Sequence, residues 1–217
     1  MKSPNKKNNK ENYDNILDEK KLSELKNTLK NKNNLSYDIL EKISCYIQLL
    51  LKWNKKINLV SSQDKDIELL IRHIFDAVSL LEYIPPNSVV IDAGSGNGIP
   101  GIILGIFNIK KIILVESIVK KSIFLHHATL KLKISNVEII NSRIEDLNLE
   151  CDILAAKAFS SIDKLLTLTK HIKINQKILL LKGEMAKKDI QDAQKNHKFK
   201  YDIYSISNKG NIVSITK

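Results

Sequence analysis

This sequence predicts an α/β fold: a mostly parallel sheet wound with helices, preceded by a helical extension and closed by an antiparallel hairpin. Three observations carry that reading. Apolar residues at helical spacing fill the chain before Pro85-Pro86, short apolar runs alternate with helical patterns after it, and the end alternates residue by residue around Asn208-Lys209-Gly210-Asn211.

Taken in order, residues 1–15 carry lysine and asparagine without hydrophobic periodicity and read as a disordered basic arm. Residues 16–84 form the helical lobe. Leu22, Leu25 and Leu29 recur at helical spacing until Asn33-Asn34 breaks the pattern. Ser36 is a good cap for a second helix carrying Ile39, Leu40, Ile43, Ile47, Leu50 and Leu51, which ends near Trp53-Asn54. A third begins around Asp64 and runs through Ile67, Leu70, Ile71, Ile74, Phe75, Val78 and Leu81 to the two prolines. Trp53 is expected to anchor this lobe on the core. In residues 85–217, Val89-Val90-Ile91 is a continuous apolar run, the mark of a strand buried on both faces. Similar runs follow at 112–115, 137–140, 153–155 and 178–181, with helical patterns at 118–132 and 162–171. Alternation of this kind implies βαβ units. Strands at 199–205 and 212–215 make the closing hairpin.

The chain has 217 residues, of which 43% are hydrophobic and 27% charged, enough to bury one core and exclude a disordered or fibrous protein. Thirty-five basic against 24 acidic residues leave a formal charge of +11, which points to a polyanion, either nucleic acid or an acidic membrane surface. Only Arg72 and Arg143 are arginines. A lysine- and asparagine-rich composition also follows from biased coding, so the charge alone does not choose the partner. Cys45 and Cys151 have no metal-ligand spacing around them and read as reduced thiols, with no metal site expected. No secretory signal and no apolar run of membrane-spanning length is found, so the expected setting is the cytoplasm, without membrane attachment and as a monomer.

Five of the seven glycines, Gly94, Gly96, Gly98, Gly101 and Gly105, directly follow the first strand. In an open α/β sheet that crevice binds ligands, and glycine lets the backbone turn tightly and approach one. Pro100 suits the first turn of the helix that follows. Gly96-Asn97-Gly98-Ile99-Pro100-Gly101 fits the dinucleotide pattern, whereas Asp92 with Gly94, Gly96 and Gly98 fits the acidic loop that binds S-adenosylmethionine (AdoMet). Asp92 favours AdoMet over NAD, because a carboxylate repels a pyrophosphate but can orient a cationic methionine end. Glu116, ending the second strand 20 residues after Gly96, can accept both ribose hydroxyls of either cofactor. After the third strand, Ile144 and Glu145 can cover an adenine and meet its amino group; an ordinary polar turn is the alternative.

Trp53-Asn54-Lys55-Lys56-Ile57-Asn58-Leu59, then Arg72-His73-Ile74-Phe75-Asp76, then the loop from Asp92 to Gly101 together resemble the RsmG (GidB) family, bacterial small-subunit ribosomal RNA guanine-N7 methyltransferases. Glu116-Ser117, Lys120-Lys121, Phe124-Leu125, Ser142-Arg143-Ile144-Glu145, Lys157-Ala158-Phe159 and Leu181-Lys182-Gly183 extend the likeness over roughly residues 45–185. The resemblance implies a class I AdoMet-dependent methyltransferase fold, Rossmann-like, with cofactor contacts at Gly94, Ile99, Ile144 and Glu145. Where the family has Ser-Arg-Ala-Phe, this chain has Ala156-Lys157-Ala158-Phe159. Lys157, expected among the cofactor contacts, keeps the charge but loses the arginine's planar fork, which predicts weaker binding or a rearranged contact.

Guanine N7 carries an in-plane lone pair and no proton, so its methylation requires no general base, and no catalytic residue is expected beyond those that align the reactants. RNA contact is expected from Arg72, His73, Lys120, Lys121, Lys157 and Lys182, with the basic arm. The substrate is expected to be 16S ribosomal RNA or the assembling 30S particle. Two alternatives stay open: a methyltransferase of the same fold with another acceptor, and a non-catalytic RNA-binding protein with a vestigial pocket.

Overall fold

Ser36 opens the first helix as its type predicts, with its hydroxyl accepting a hydrogen bond from the Ile39 N–H at 3.5 Å. The computed structural model describes residues 35–60, 67–206 and 210–216. The expected basic arm, the expected helix around Leu22–Leu29, the start of the third helix near Asp64 and the tip of the hairpin lie outside them. Helix α1 (Tyr37–Asn54) ends where Asn54 turns its side chain back on the chain: its Oδ1 accepts from the Leu59 and Val60 amides at 2.9 and 3.1 Å. Helix α2 (Ile67–Ser79) tightens into a 3₁₀ turn at Leu80–Tyr83 before the prolines, so the expected α-helix stops two residues short of Leu81.

The sheet follows: β1 (Val89–Ala93), α3 (Gly101–Ile106), β2 (Lys111–Val115), α4 (Val119–Leu132), β3 (Val137–Ile140), β4 (Glu150–Lys157), α5 (Ile162–Leu168), β5 (Lys173–Lys182), α6 (Ala186–Ala193), β6 (Lys200–Ser205) and β7 (Asn211–Thr216). Its order is β3-β2-β1-β4-β5-β7-β6. The first five strands are parallel to one another; β7 lies antiparallel between β5 and β6. The chain winds outward from β1 to β3, then returns to β4 on the other side of β1. A crevice therefore opens beyond the carboxyl ends of β1 and β4, where the direction of winding reverses.

Period-two alternation splits the apolar runs between two cores. Val90, Ile112, Leu114, Ile153, Ala155, Leu179 and Ile212 join the apolar faces of α1 to α4. Ile91, Ile113, Val115, Leu154, Ile178, Leu180, Val213 and Ile215 face α5 and α6. The helical lobe thus shares one continuous core with the sheet. Trp53 anchors it as expected, packing edge-on against Phe124 at 5.8 Å and donating its indole N–H to His127 Nδ1 at 2.9 Å. Helix α5 ends at Leu168 rather than near His171, because Thr169 turns its hydroxyl onto the Leu165 carbonyl at 2.8 Å. Helix α6 is not predicted by the sequence. Its lysines Lys187 and Lys188 are exposed, as a solvated face requires, while Ala186, Ile190 and Ala193 supply a short buried stripe. No helix among the described residues is long and apolar enough to cross a membrane.

Candidate functional site

The glycine loop leaves β1 at Ala93 and is pinned to the sheet by backbone bonds from its neighbour. The Gly94 and Ser95 amides donate to the Val115 carbonyl at 2.9 and 3.0 Å. Gly94, Gly96 and Gly98 all have positive φ, at 69°, 55° and 90°. Gly94 needs its missing side chain as well, since a Cβ there would meet the Phe159 ring at 2.8 Å. At Gly96 the same atom would meet only the Gly94 carbonyl, at 3.7 Å, so the loop faces open space there.

Two carboxylates hold this loop from beneath. Asp92 is 1% exposed and accepts from the Gly101 amide at 3.0 Å through Oδ2, at the start of α3. Its Oδ1 is buried without a hydrogen-bond partner. Burial pushes the acid up to about 7, with Glu116 adding to the rise, while the Gly101 amide and the Lys157 charge oppose it. Glu116 is also buried. Its Oε2 accepts from the Gly96 amide at 2.8 Å and its Oε1 from the Ile118 amide at 2.7 Å. The expected ribose acceptor therefore ties the loop to the start of α4 with both oxygens, and each retains a further lone pair.

Two cavities lie along the carboxyl edge of the sheet. One, of about 380 Å³, is bounded by Gly94, Val115, Ser142, Ile144, Glu145 and Phe159, among others. Buried Ile144 supplies an apolar wall, and Glu145 a half-buried carboxylate 3.6 Å from the Arg143 guanidinium. The second, of about 450 Å³, collects Arg72 and His73 from α2, Lys157 from β4 and Lys182 from β5, with the acids Asp76 and Glu184. Ala158 lines both cavities and holds a left-handed φ of 52°. The chain there passes from the basic cavity at Lys157 to the nucleoside-sized one at Phe159.

The structure regroups several expected residues. Ile144, Glu145 and Gly94 line the first cavity, whereas Asp92, Gly96, Gly98, Ile99 and Glu116 build and brace its loop. At Gly98 a Cβ would meet Ile102 at 2.5 Å, so that glycine serves the packing of the loop on α3. Lys157, expected on both the cofactor and RNA, lines the basic cavity and acts on Asp92 by its charge. Lys182, expected on RNA, is held in a 2.5 Å ion pair with Asp189 of α6 and donates to the Ser160 carbonyl at 3.1 Å. Asp189 also accepts from the Ile162 amide at 3.1 Å, so this pair fixes the segment after Ala158. Lys120 and Lys121 sit on the first turn of α4 and line neither cavity. Among the described residues no cluster of side chains could hold a metal ion.

Sequence reasoning missed Tyr46 and Asp189. Tyr46, wholly buried on α1, donates its hydroxyl to the Asn97 carbonyl at 2.6 Å. A tyrosine on an otherwise aliphatic helix face is the signal that could have found it, since a buried phenol needs an acceptor. Nothing around Asp189 in the sequence marks its role.

The orphaned Asp92 oxygen, the open face at Gly96 and the mixed lining of the first cavity fit a small cationic nucleoside. Comparison with known proteins agrees. The family model GidB, described as rRNA small subunit methyltransferase G, matches residues 39–211. The ribosomal RNA small subunit methyltransferase G of Rickettsia massiliae is 39% identical over 169 residues, 77% of this chain and 86% of that one. The protein of the same name from Orientia tsutsugamushi is 39% identical over 172 residues, 79% and 86% of the two chains. A solved SAM-dependent methyltransferase from Aquifex aeolicus superposes with a TM-score of 0.54 at 14% identity, covering 66% of this chain and 90% of its own, a likeness of fold alone.

Proposed function

Because this chain belongs to the GidB family of AdoMet-dependent small-subunit ribosomal RNA methyltransferases, we propose that it methylates N7 of a guanine in 16S ribosomal RNA. The observation that carries this reading is the pair of cavities meeting at Ala158, one of about 380 Å³ with the apolar Ile144 and the carboxylate of Glu145 in its lining and one lined by basic side chains. AdoMet supplies an electrophilic methyl group on a sulfonium. Ile144, Glu145 and Gly94 would hold its adenosine, and Asp92, buried beneath the loop, would supply negative charge toward its cationic end when ionised.

The basic cavity serves the acceptor. Arg72 is exposed at the cavity, on the lobe side, and offers a charge for an RNA phosphate. Lys157 contributes a second charge from the end of β4. The Lys182–Asp189 pair keeps the wall between the cavities in place. A guanine N7 needs no proton removed, so these residues have only to align the base and exclude water. In this reading residues 85–217 are the catalytic unit, and residues 16–84 the lobe that presents Arg72 and His73. The protein then works as a cytoplasmic monomer on RNA or on an assembling 30S particle.

The test is transfer from labelled AdoMet to 16S ribosomal RNA and to 30S particles from cells lacking the activity, followed by nucleoside digestion. Label in 7-methylguanosine is the expected result. Label in another nucleoside would overturn the assignment of the atom, and absence of AdoMet binding would overturn the enzyme itself.

A further inference from the structure

Tyr46 stands among Ile43, Ile47 and Leu50 on the buried face of α1, and all four are fully buried. Phenylalanine would fill this position equally well and leave no polar atom in the core, so the hydroxyl is what requires an explanation. It donates to the carbonyl of Asn97, between Gly96 and Gly98, two of the three loop glycines with positive φ. Glycine at these positions leaves the free loop many conformations, and the contacts around it select one. From the sheet side Glu116 holds the Gly96 amide, and within the loop the Gly98 amide donates to the Ser95 carbonyl at 2.7 Å. From the lobe side Tyr46 holds the peptide carbonyl between them. Burial, reinforced by the Asp92 charge, keeps the phenol well above its ordinary value, so the hydroxyl stays a donor throughout the working pH range.

We propose that Tyr46 is a positioning residue for the cofactor loop, through which α1 presets the Asn97–Gly98 peptide for the incoming AdoMet. This rests on the reading that the loop belongs to an AdoMet site. The hydroxyl touches the loop backbone, not the reacting atoms. Its contribution therefore lies in preorganisation, removing an ordering cost that the ligand would otherwise bear. Its loss then raises the KM and Kd for AdoMet and leaves the rate of the saturated enzyme alone.

The experiment compares Tyr46→Phe with Ser44→Ala in the full-length protein. Ser44 is buried on the same helix and donates to the Leu40 carbonyl at 2.7 Å, so its substitution also deletes a buried hydroxyl but leaves the loop untouched. AdoMet Kd is read by titration calorimetry, KM and kcat with 30S particles, and Tm in parallel. Tyr46→Phe is expected to raise AdoMet Kd and KM about five- to tenfold, with kcat and the KM for RNA within about twofold of wild type. Ser44→Ala is expected to change Tm alone. A Tyr46→Phe protein with wild-type AdoMet affinity, or one that fails to fold, would overturn the proposal. So would two variants whose AdoMet affinities fall in step with their Tm, since that marks general destabilisation. A wild-type protein that binds no AdoMet would overturn the proposed function instead, a distinct outcome.

Discussion

Replacing Asp92 by asparagine exchanges a buried acid for a neutral group of the same shape that can still accept from the Gly101 amide. Burial raises the folded-state pKa from 3.8 to about 7, so the native protein holds this proton where the unfolded chain has already lost it. The group's favourable contribution is fully present below about pH 4 and is lost as pH rises through about 7. Asparagine carries no such linkage. The stability difference, variant minus wild type, therefore moves in favour of the variant by about 2.5 kcal/mol between about pH 5 and pH 8. Urea unfolding at several pH values measures it, and only the slope with pH matters, so the small change in hydrogen-bond strength cancels. AdoMet affinity should fall in the same variant above about pH 7, where wild-type Asp92 carries its negative charge, and should change little well below it. A difference that stays flat with pH, or that moves against the variant as pH rises, would refute the reasoning about this buried acid.

Gly94→Ala should weaken AdoMet binding at least tenfold while lowering Tm only modestly: its φ of 69° strains any side chain, and the new methyl would push Phe159 from the cavity wall. Unchanged affinity by calorimetry would remove Gly94 from the site. Arg72→Ala should raise the KM for RNA several-fold, reduce the slope of log affinity against log salt by about one, and leave AdoMet Kd unaltered; an unchanged salt slope would remove the arginine from the phosphate contacts. Asp189→Ala should cost about 2 kcal/mol in urea unfolding, since it strands Lys182, whose side chain is 15% exposed, and releases the Ile162 amide. The double change Lys182→Met with Asp189→Leu should recover most of that loss, and a single variant as stable as wild type would show that the pair holds nothing in place.

The elements that carried strong periodicity were legible, and for a physical reason. Buried parallel strands need apolar side chains on both faces, so Val89 to Ile91 and its successors announce themselves without any tertiary information. Glycine clustering exposed the loop in the same local way. Direction was less legible. Spacing places Glu116 at the end of the second strand as a ribose acceptor, but cannot show that its oxygens also accept from the Gly96 and Ile118 amides, because those N–H groups come from loop and helix starts whose placement only the fold decides. Lys182 is expected on RNA, and the sequence does not reveal its ion pair with Asp189, because Asp189 lies on α6, a helix with too short a buried stripe to show periodicity. Lys157 could be placed at the end of β4, whereas the side of Ala158 it serves depends on a left-handed turn that an alanine does not advertise.

A pattern connects the residues the sequence hid. A methyl transfer that needs no base depends on alignment, and alignment here rests on short glycine-rich and turn segments with little rigidity of their own. Each is held by a side chain from a distant part of the chain: Gly96 by Glu116, Asn97 by Tyr46, and the Ser160 carbonyl by Lys182 backed by Asp189. The flexible segments are local in sequence and easily seen, while their clamps are separated from them by 20 to 51 positions, and a single sequence carries no record of such pairs. The residues that set substrate affinity in this protein should accordingly include ones that never touch substrate. Their substitutions should show first in the KM for AdoMet or RNA rather than in the chemistry of the saturated enzyme.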